Sequence, residues 1–226
     1  MIGERRSRDG WEVLLVLARL ARIDTTSLVD AGGGLRVLPA SLRPVRRGLR
    51  LVGRALTVDA REDLLSVVEG LRLSGPGDVL VVAGSDRYAV AGELFATEAL
   101  RRGVAGMVID GLCRDTRTLA ELDLPVYARG TAPSACPARA APVVQVPITI
   151  GAVQVRPGDL VLGDDDGVVV ATEEVQAVLE RAEAIQRGEA ALRAAIAAGS
   201  SLFDHLNYEE HVAAVRAGRD SRLTFT

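Results

Sequence analysis

Between residues 49 and 128 short apolar runs alternate with segments of helical periodicity, and this alternation narrows the fold more than any other feature of the chain. Leu49 to Val58 alternates as a strand and Glu62 to Leu73 reads as a helix. Val79 to Val82, introduced by the turn Pro76-Gly77-Asp78, suits a short buried strand. The series continues with a helix from about Ala89 to Arg102, a strand at Met107 to Ile109, a helix near Thr118 to Leu122 and a strand at Val126 to Ala128. Such alternation predicts the α/β class. From Pro142 onward closely spaced strands follow, with Gly151 and Asp166-Gly167 at hairpin-type turns. Glu173 and Glu174 then open a helical segment to about Ala198, with charges on one face and Val175, Val178, Leu179 and Ile185 on the other.

A chain of 226 residues that is 48% hydrophobic and 25% charged can bury a core of its own. With no Pro/Ser/Gly linker in view, the expectation is a single domain over 1–226, with 173–226 as a helical C-terminal extension. Aromatic residues are only 3%, too few for base-stacking platforms, and 27 basic against 30 acidic residues leave a net charge of −3. No nucleic-acid partner is expected. Trp11, Leu14, Leu15, Val16, Leu17 and Leu20 form a helical stripe, but the apolar run from Val13 stops at Arg19, too soon to span a membrane. No membrane partner is expected, and the expected location is cytoplasmic, with Cys113 and Cys136 reduced. His205 and His211 stand six apart, a spacing that does not put two imidazoles on one helical face as a metal pair would need.

All 27 basic residues are arginine. Without lysine there is no amine for a Schiff base or for pyridoxal phosphate, and no lysine for a P-loop. A carbonyl would have to be activated by a metal ion, by Arg or by hydrogen-bond donors. The loop Ala31-Gly32-Gly33-Gly34 lacks the frame of a phosphate cradle and reads as a turn, and Asp164-Asp165-Asp166-Gly167 lacks the rest of a calcium loop and reads as a tight turn with Asx contacts.

The chemistry-bearing stretch runs Gly92-Glu93-Leu94-Phe95-Ala96, then Val108-Ile109-Asp110-Gly111-Leu112-Cys113-Arg114-Asp115. Arg114 and Asp115 follow a buried strand, where open α/β sheets form their sites. Arg114 can hold a carboxylate with two bonds, and Asp115 is a hard oxygen donor of the type that holds Mg²⁺ or Mn²⁺. The plainer local reading makes Asp115 the cap of the next helix and Arg114 a surface partner. Cys113 reads as a packed core thiol rather than a nucleophile, since no His stands near it.

These motifs, with Asp24 to Thr57, Pro125 to Gly130 and Gly158 to Val170, resemble the RraA-like family over roughly residues 20 to 200, and specifically its metal-dependent enzyme branch. The resemblance implies a three-layer β/β/α, swivelling-domain type α/β fold. It also implies a homotrimer or hexamer with shared active sites. The implied activity is a carbon-carbon lyase: aldol cleavage of a 4-hydroxy-2-oxo acid or decarboxylation of oxaloacetate, giving pyruvate with Mg²⁺ or Mn²⁺ bound. By motif match, Arg114 resembles the residue that binds the 2-oxo acid and Asp115 the direct or water-mediated metal ligand, while the amides around Gly92, Glu93, Leu94 and Phe95 resemble the cradle of the carboxylate and Glu93 the residue that holds a metal-bound water. Glu189 resembles the glutamate that a neighbouring subunit contributes. Ala83-Gly84 and Ala91 depart from the usual pattern of relatives. The alternative within the family is a non-catalytic, protein-binding regulator of ribonuclease E. Such regulators look shorter, and they carry an uncharged residue where this chain has Glu93.

Overall fold

A computed structural model describes residues 15–172 and 175–225. Trp11 and Leu14 of the apolar stripe, and the Glu173-Glu174 helix start, lie outside the described residues. The chain divides into two compact units, one ending at Ala182 and one beginning at Glu183.

In the first unit a helix at residues 15–20 (α1) leads to α2 (Thr25–Asp30), β1 (Arg36–Val37), β2 (Arg43–Pro44), β3 (Leu51–Asp59) and α3 (Leu65–Leu73). Next come β4 (Asp78–Ala83), β5 (Ala89–Ala91), α4 (Glu93–Arg101), β6 (Gly106–Cys113), α5 (Thr116–Leu119) and β7 (Val126–Thr131). Five short strands follow: β8 (Val143–Val144), β9 (Ile148–Ile150), β10 (Val153–Val155), β11 (Leu160–Gly163) and β12 (Val168–Ala171). The helix α6 (Gln176–Ala197) begins in the first unit, and its residues from Glu183 onward are assigned to the second. The second unit contains α7 (Tyr208–Arg216), preceded by a single 3-10 turn at Leu202–His205.

Among the described residues ten strands form one mixed sheet, with β1-β12-β11-β3-β4-β6-β7-β2 in order, β5 on β6 and β8 on β3. The centre, β3-β4-β6-β7, is parallel, as the α/β alternation requires. Period-two alternation sorts its side chains onto two faces. Leu56, Val58, Leu80, Val82, Met107 and Ile109 pack with Val67 and Leu71 of α3 and Ala96 and Ala99 of α4. Ala55, Val79, Val81 and Val108 pack instead with Ile148, Ile150 and Val155 of the β9–β10 hairpin. Val79 to Val82 are all fully buried, which explains the unbroken apolar run and contributes roughly 1.5–3 kcal/mol per side chain. Val178, Leu179 and Ala182 of α6 join a third cluster with Leu20, Leu28, Leu160 and Leu162.

Several boundaries differ from the sequence expectation. Ala89 to Ala91, expected as the first turn of a helix to Arg102, form a strand, and the helix begins only after Gly92. Small residues satisfy either periodicity, and parallel pairing of Ala89 with Leu112 and of Ala91 with Cys113 decides the outcome. The helix expected from Glu62 starts at Leu65, because the Asp63 carboxylate accepts from Leu65 N at 2.8 Å and from Arg139 N and Ala140 N at 2.6 and 2.8 Å. The helix expected near Thr118 to Leu122 runs from Thr116 to Leu119, and the strand expected at Met107 to Ile109 extends to Cys113. The acidic run is a turn between β11 and β12: Asp164 accepts from Asp166 N at 3.1 Å and binds Thr25 N and Oγ1 at 2.8 and 2.7 Å.

Candidate active site

The two segments singled out from the sequence meet at the carboxyl end of β6 and the amino end of α4. Arg114 N donates to Ala91 O at 3.0 Å, so the pairing of β5 with β6 carries the chain directly to Gly92. A Cβ built on Gly92 would stand 2.3 Å from Asp115 Oδ2 and 2.9 Å from Arg114 Cγ. Only glycine leaves room for the pair against the helix start.

Asp115 occupies the position before α5 but does not cap it. Its backbone is left-handed, with φ 58° and ψ 38°, a region that Asp tolerates better than most residues at a cost of order 1 kcal/mol. This conformation turns the carboxylate back toward α4, where Oδ2 accepts the Glu93 N–H at 3.2 Å and lies 3.5 Å from Arg114 Nε. The plain capping role is therefore replaced by a contact with a different helix. Amides in the first turn of a helix have no intrahelical acceptor and carry the positive end of its dipole. Asp115 takes one of them, that of Glu93, and the following amides, of Leu94 and Phe95, remain available to a second anion.

Arg114 and Asp115 are 42% and 36% exposed, so the cluster is open enough for a small ligand to enter. Glu93 is half-buried, whereas Leu94 is 73% exposed and Phe95 packs against the core, leaving only its backbone for binding. Gly92, Glu93, Arg114 and Asp115 thus come together in the first unit; Glu189 lies exposed on α6 in the residues assigned to the second. Cys113 is fully buried, and burial first, then the Asp115 charge, pushes its thiol up, as befits a packed rather than a nucleophilic sulfur.

Among the described residues no group of three or more His, Cys, Asp or Glu side chains could cage a metal. The donor set nevertheless fits Mg²⁺ or Mn²⁺: a hard carboxylate oxygen from Asp115, a second carboxylate on Glu93, whose backbone N–H Asp115 accepts, and an open side for water and substrate oxygens. Among the described residues no helix is long and apolar enough to cross a membrane.

A polar cluster stands further back on β6; two of its members, Asp110 and Arg129, fall within the quoted motifs, but the motifs assign neither a role and do not join them to Asp86. Arg129 binds Asp86 and Asp110 at 2.5 and 3.0 Å, beside a cavity of about 370 Å³ lined by Asp59, Arg61, Gly84 and residues of the β9–β10 hairpin. Its signal, one Asp in the polar loop after β4, is too common to stand out in sequence.

The family profile described as RraA-like, Aldolase/RraA, matches residues 25–170. A protein of Halalkalibacterium halodurans named "Putative 4-hydroxy-4-methyl-2-oxoglutarate aldolase" is 36% identical over 184 residues, covering 80% of this chain and 88% of that one. A solved structure of an uncharacterized protein from Pseudomonas syringae pv. tomato superimposes with a TM-score of 0.76 at 32% identity, covering 84% of this chain and 96% of that one. The RNA-processing inhibitor RraA from Thermus thermophilis superimposes with a TM-score of 0.63 at 33% identity, covering 66% of this chain and 93% of that one.

Proposed function

Since this chain belongs to the RraA-like family, we propose that it is a divalent-metal-dependent carbon-carbon lyase acting on a small 2-oxo acid. The substrates that fit are a 4-hydroxy-2-oxo acid, cleaved by a retro-aldol step, and oxaloacetate, decarboxylated; both give pyruvate. The observation that carries the reading is the Asp115 carboxylate turned back onto the start of α4 beside Arg114, against a glycine that leaves room for both.

In this reading the substrate carboxylate sits on the first-turn amides of Leu94 and Phe95, where the helix dipole favours an anion. Arg114 donates from its planar fork to the carboxylate or the keto oxygen. When the C3–C4 bond breaks, C4 leaves as a carbonyl compound after its hydroxyl has given up a proton, or as carbon dioxide from oxaloacetate; the electron pair stays on the C2–C3 enolate of pyruvate, and a proton then reaches C3. Arg114 supplies positive charge where that enolate oxygen develops. Asp115, with Glu93 beyond it, would hold a divalent cation, which would supply the electron sink that a lysine imine supplies elsewhere; this chain has no lysine. Glu189 is assigned, with the family, to the site of a neighbouring subunit in a homotrimer or hexamer.

The other reading, a protein-binding regulator, is favoured by the likeness to the RNA-processing inhibitor, and it needs none of these groups. Pyruvate release from oxaloacetate and 4-hydroxy-2-oxo acids, assayed with Mg²⁺ or Mn²⁺ beside inhibition of ribonuclease E, separates the two. Metal-dependent turnover without inhibition is the expected result; inhibition without turnover overturns the lyase reading.

A further inference from the structure

The polar cluster behind the site has a distinct task. Between Ile109 and Leu112 the β6–β7 register slips: Ile109 faces Ala128 and Leu112 faces Gly130, so Asp110 and Gly111 together oppose Arg129. Arg129 spans this bulge. Its Nε lies 3.0 Å from Asp110 Oδ1, and its Nη2 donates to Asp110 O at 3.0 Å and lies 2.5 Å from Asp86 Oδ1. Asp110 Oδ2 accepts from Gly151 N at 3.3 Å.

The same bulge grips the loop between β4 and β5. Gly84 N donates to Asp110 O at 3.2 Å and Leu112 N to Ser85 O at 3.1 Å. A Cβ on Gly111 would stand 2.6 Å from Ser85 N, so the loop backbone rests directly on the strand. Buried Ser85 accepts Arg87 N and Tyr88 N on its Oγ at 3.0 and 3.1 Å, which shapes the turn into β5. Both paths leading from this junction end at the candidate site: the loop runs through β5 to Gly92 and Glu93, and β6 runs to Arg114 and Asp115.

We infer that Arg129 is a positioning residue, which ties the β4–β5 loop to the β6 bulge and so sets the start of α4 against Asp115. An anion receptor in the adjoining cavity is the competing role for this guanidinium. Charge argues against it: in the lining Asp59 and Asp110 balance Arg61 and Arg129, leaving no excess of positive charge, and each arginine already holds a carboxylate. A fork shared by two carboxylates and a carbonyl is a clamp, and an ammonium group cannot span the three acceptors.

The inference rests on the lyase reading for its consequence but not for its test. Hydrogen exchange over residues 84–96 is measured in the full metal-free chain, with Mn²⁺ affinity and pyruvate formation measured alongside. Arg129→Lys should speed exchange over that segment about tenfold or more while β3 and β11 keep their protection. It should weaken Mn²⁺ binding severalfold and lower kcat about tenfold, with KM changed less. Asp86→Asn, which removes only the more exposed partner, should show the same pattern more weakly. Methylguanidinium added to Arg129→Ala should restore protection; if that variant does not fold, the Lys and Asn variants decide. Exchange over 84–96 within twofold of wild type in Arg129→Lys overturns the inference, as does a lowered melting temperature with exchange and Mn²⁺ affinity unmoved. A wild-type chain that makes no pyruvate would count against the lyase reading alone, since exchange and Mn²⁺ binding are read without it.

Discussion

Replacing Gly92 by Ala adds a single methyl group and tests the geometry of the site directly. At φ −154° and ψ −161° the backbone is extended, so alanine brings no torsional strain of its own. The new Cβ would stand 2.3 Å from Asp115 Oδ2, 2.9 Å from Arg114 Cγ and 3.2 Å from Arg114 Nε. Ordinary contact requires about 3.4 Å, so the Asp115 carboxylate must retreat by about 1 Å. That movement breaks its bond to Glu93 N and shifts the oxygen proposed to bind the metal. Displacements of about 1 Å at a reacting centre cost on the order of a hundredfold, so kcat/KM for pyruvate formation should fall about a hundredfold and Mn²⁺ affinity should fall with it. Both displaced side chains are partly exposed and can swing into solvent, so unfolding free energy should fall by no more than about 1 kcal/mol, a few degrees in Tm. Coupled pyruvate detection, Mn²⁺ titration and thermal melts measure the three quantities. A Gly92→Ala protein with kcat/KM and Mn²⁺ affinity within threefold of wild type would refute the reasoning, because the methyl cannot fit unless the pair is elsewhere.

Arg114→Lys keeps the charge and loses the two-bond fork, so kcat/KM should drop ten- to a hundredfold, equivalent to about 1.4–2.7 kcal/mol; near-wild-type kinetics would mean the wrong arginine was assigned. Cys113 and Cys136, both buried with their thiols raised by burial, should resist a thiol reagent at pH 7.5 until the chain is unfolded, and rapid labelling of the native protein at Cys113 would contradict the packing. Asp24 caps α2, accepting Ser27 N at 2.7 Å; burial raises its pKa, but the bonds from Ser27 and Thr26 outweigh burial and hold it below the ordinary 3.8. A lowered folded value means stabilisation that is complete above pH 3.8 and lost as pH falls through the folded value. Asp24→Ala should therefore cost about 1 kcal/mol at pH 7 in urea unfolding and progressively less in acid, and a cost independent of pH would refute the assignment.

The central strands were legible because burial on both faces leaves one composition, and Val79 to Val82 could be little else. Ala89 to Ala91 were not, since small residues fit a helix turn as well as a strand and the choice is made by β6, a partner 22 residues away at Cys113. The site divides in the same way. Arg and Asp after a buried strand can be read from order alone. The left-handed backbone that sends Asp115 to α4 rather than α5 depends on Gly92 standing across from it, and that contact joins two segments that sequence lists separately. Arg129 was out of reach for a further reason: it is defined by a register slip between β6 and β7, and no local pattern encodes which residue will face a bulge.

The central claim is that this chain breaks a carbon-carbon bond with a cation held at Asp115. It is tested most directly by pyruvate formation from oxaloacetate with Mn²⁺, in the wild-type protein before and after exhaustive chelation and in Asp115→Ala. The account predicts turnover that chelation abolishes and returned Mn²⁺ restores, with the variant inactive yet melting within a few degrees of wild type. Full turnover after chelation, or an Asp115→Ala protein that still responds to Mn²⁺ as wild type does, would contradict it.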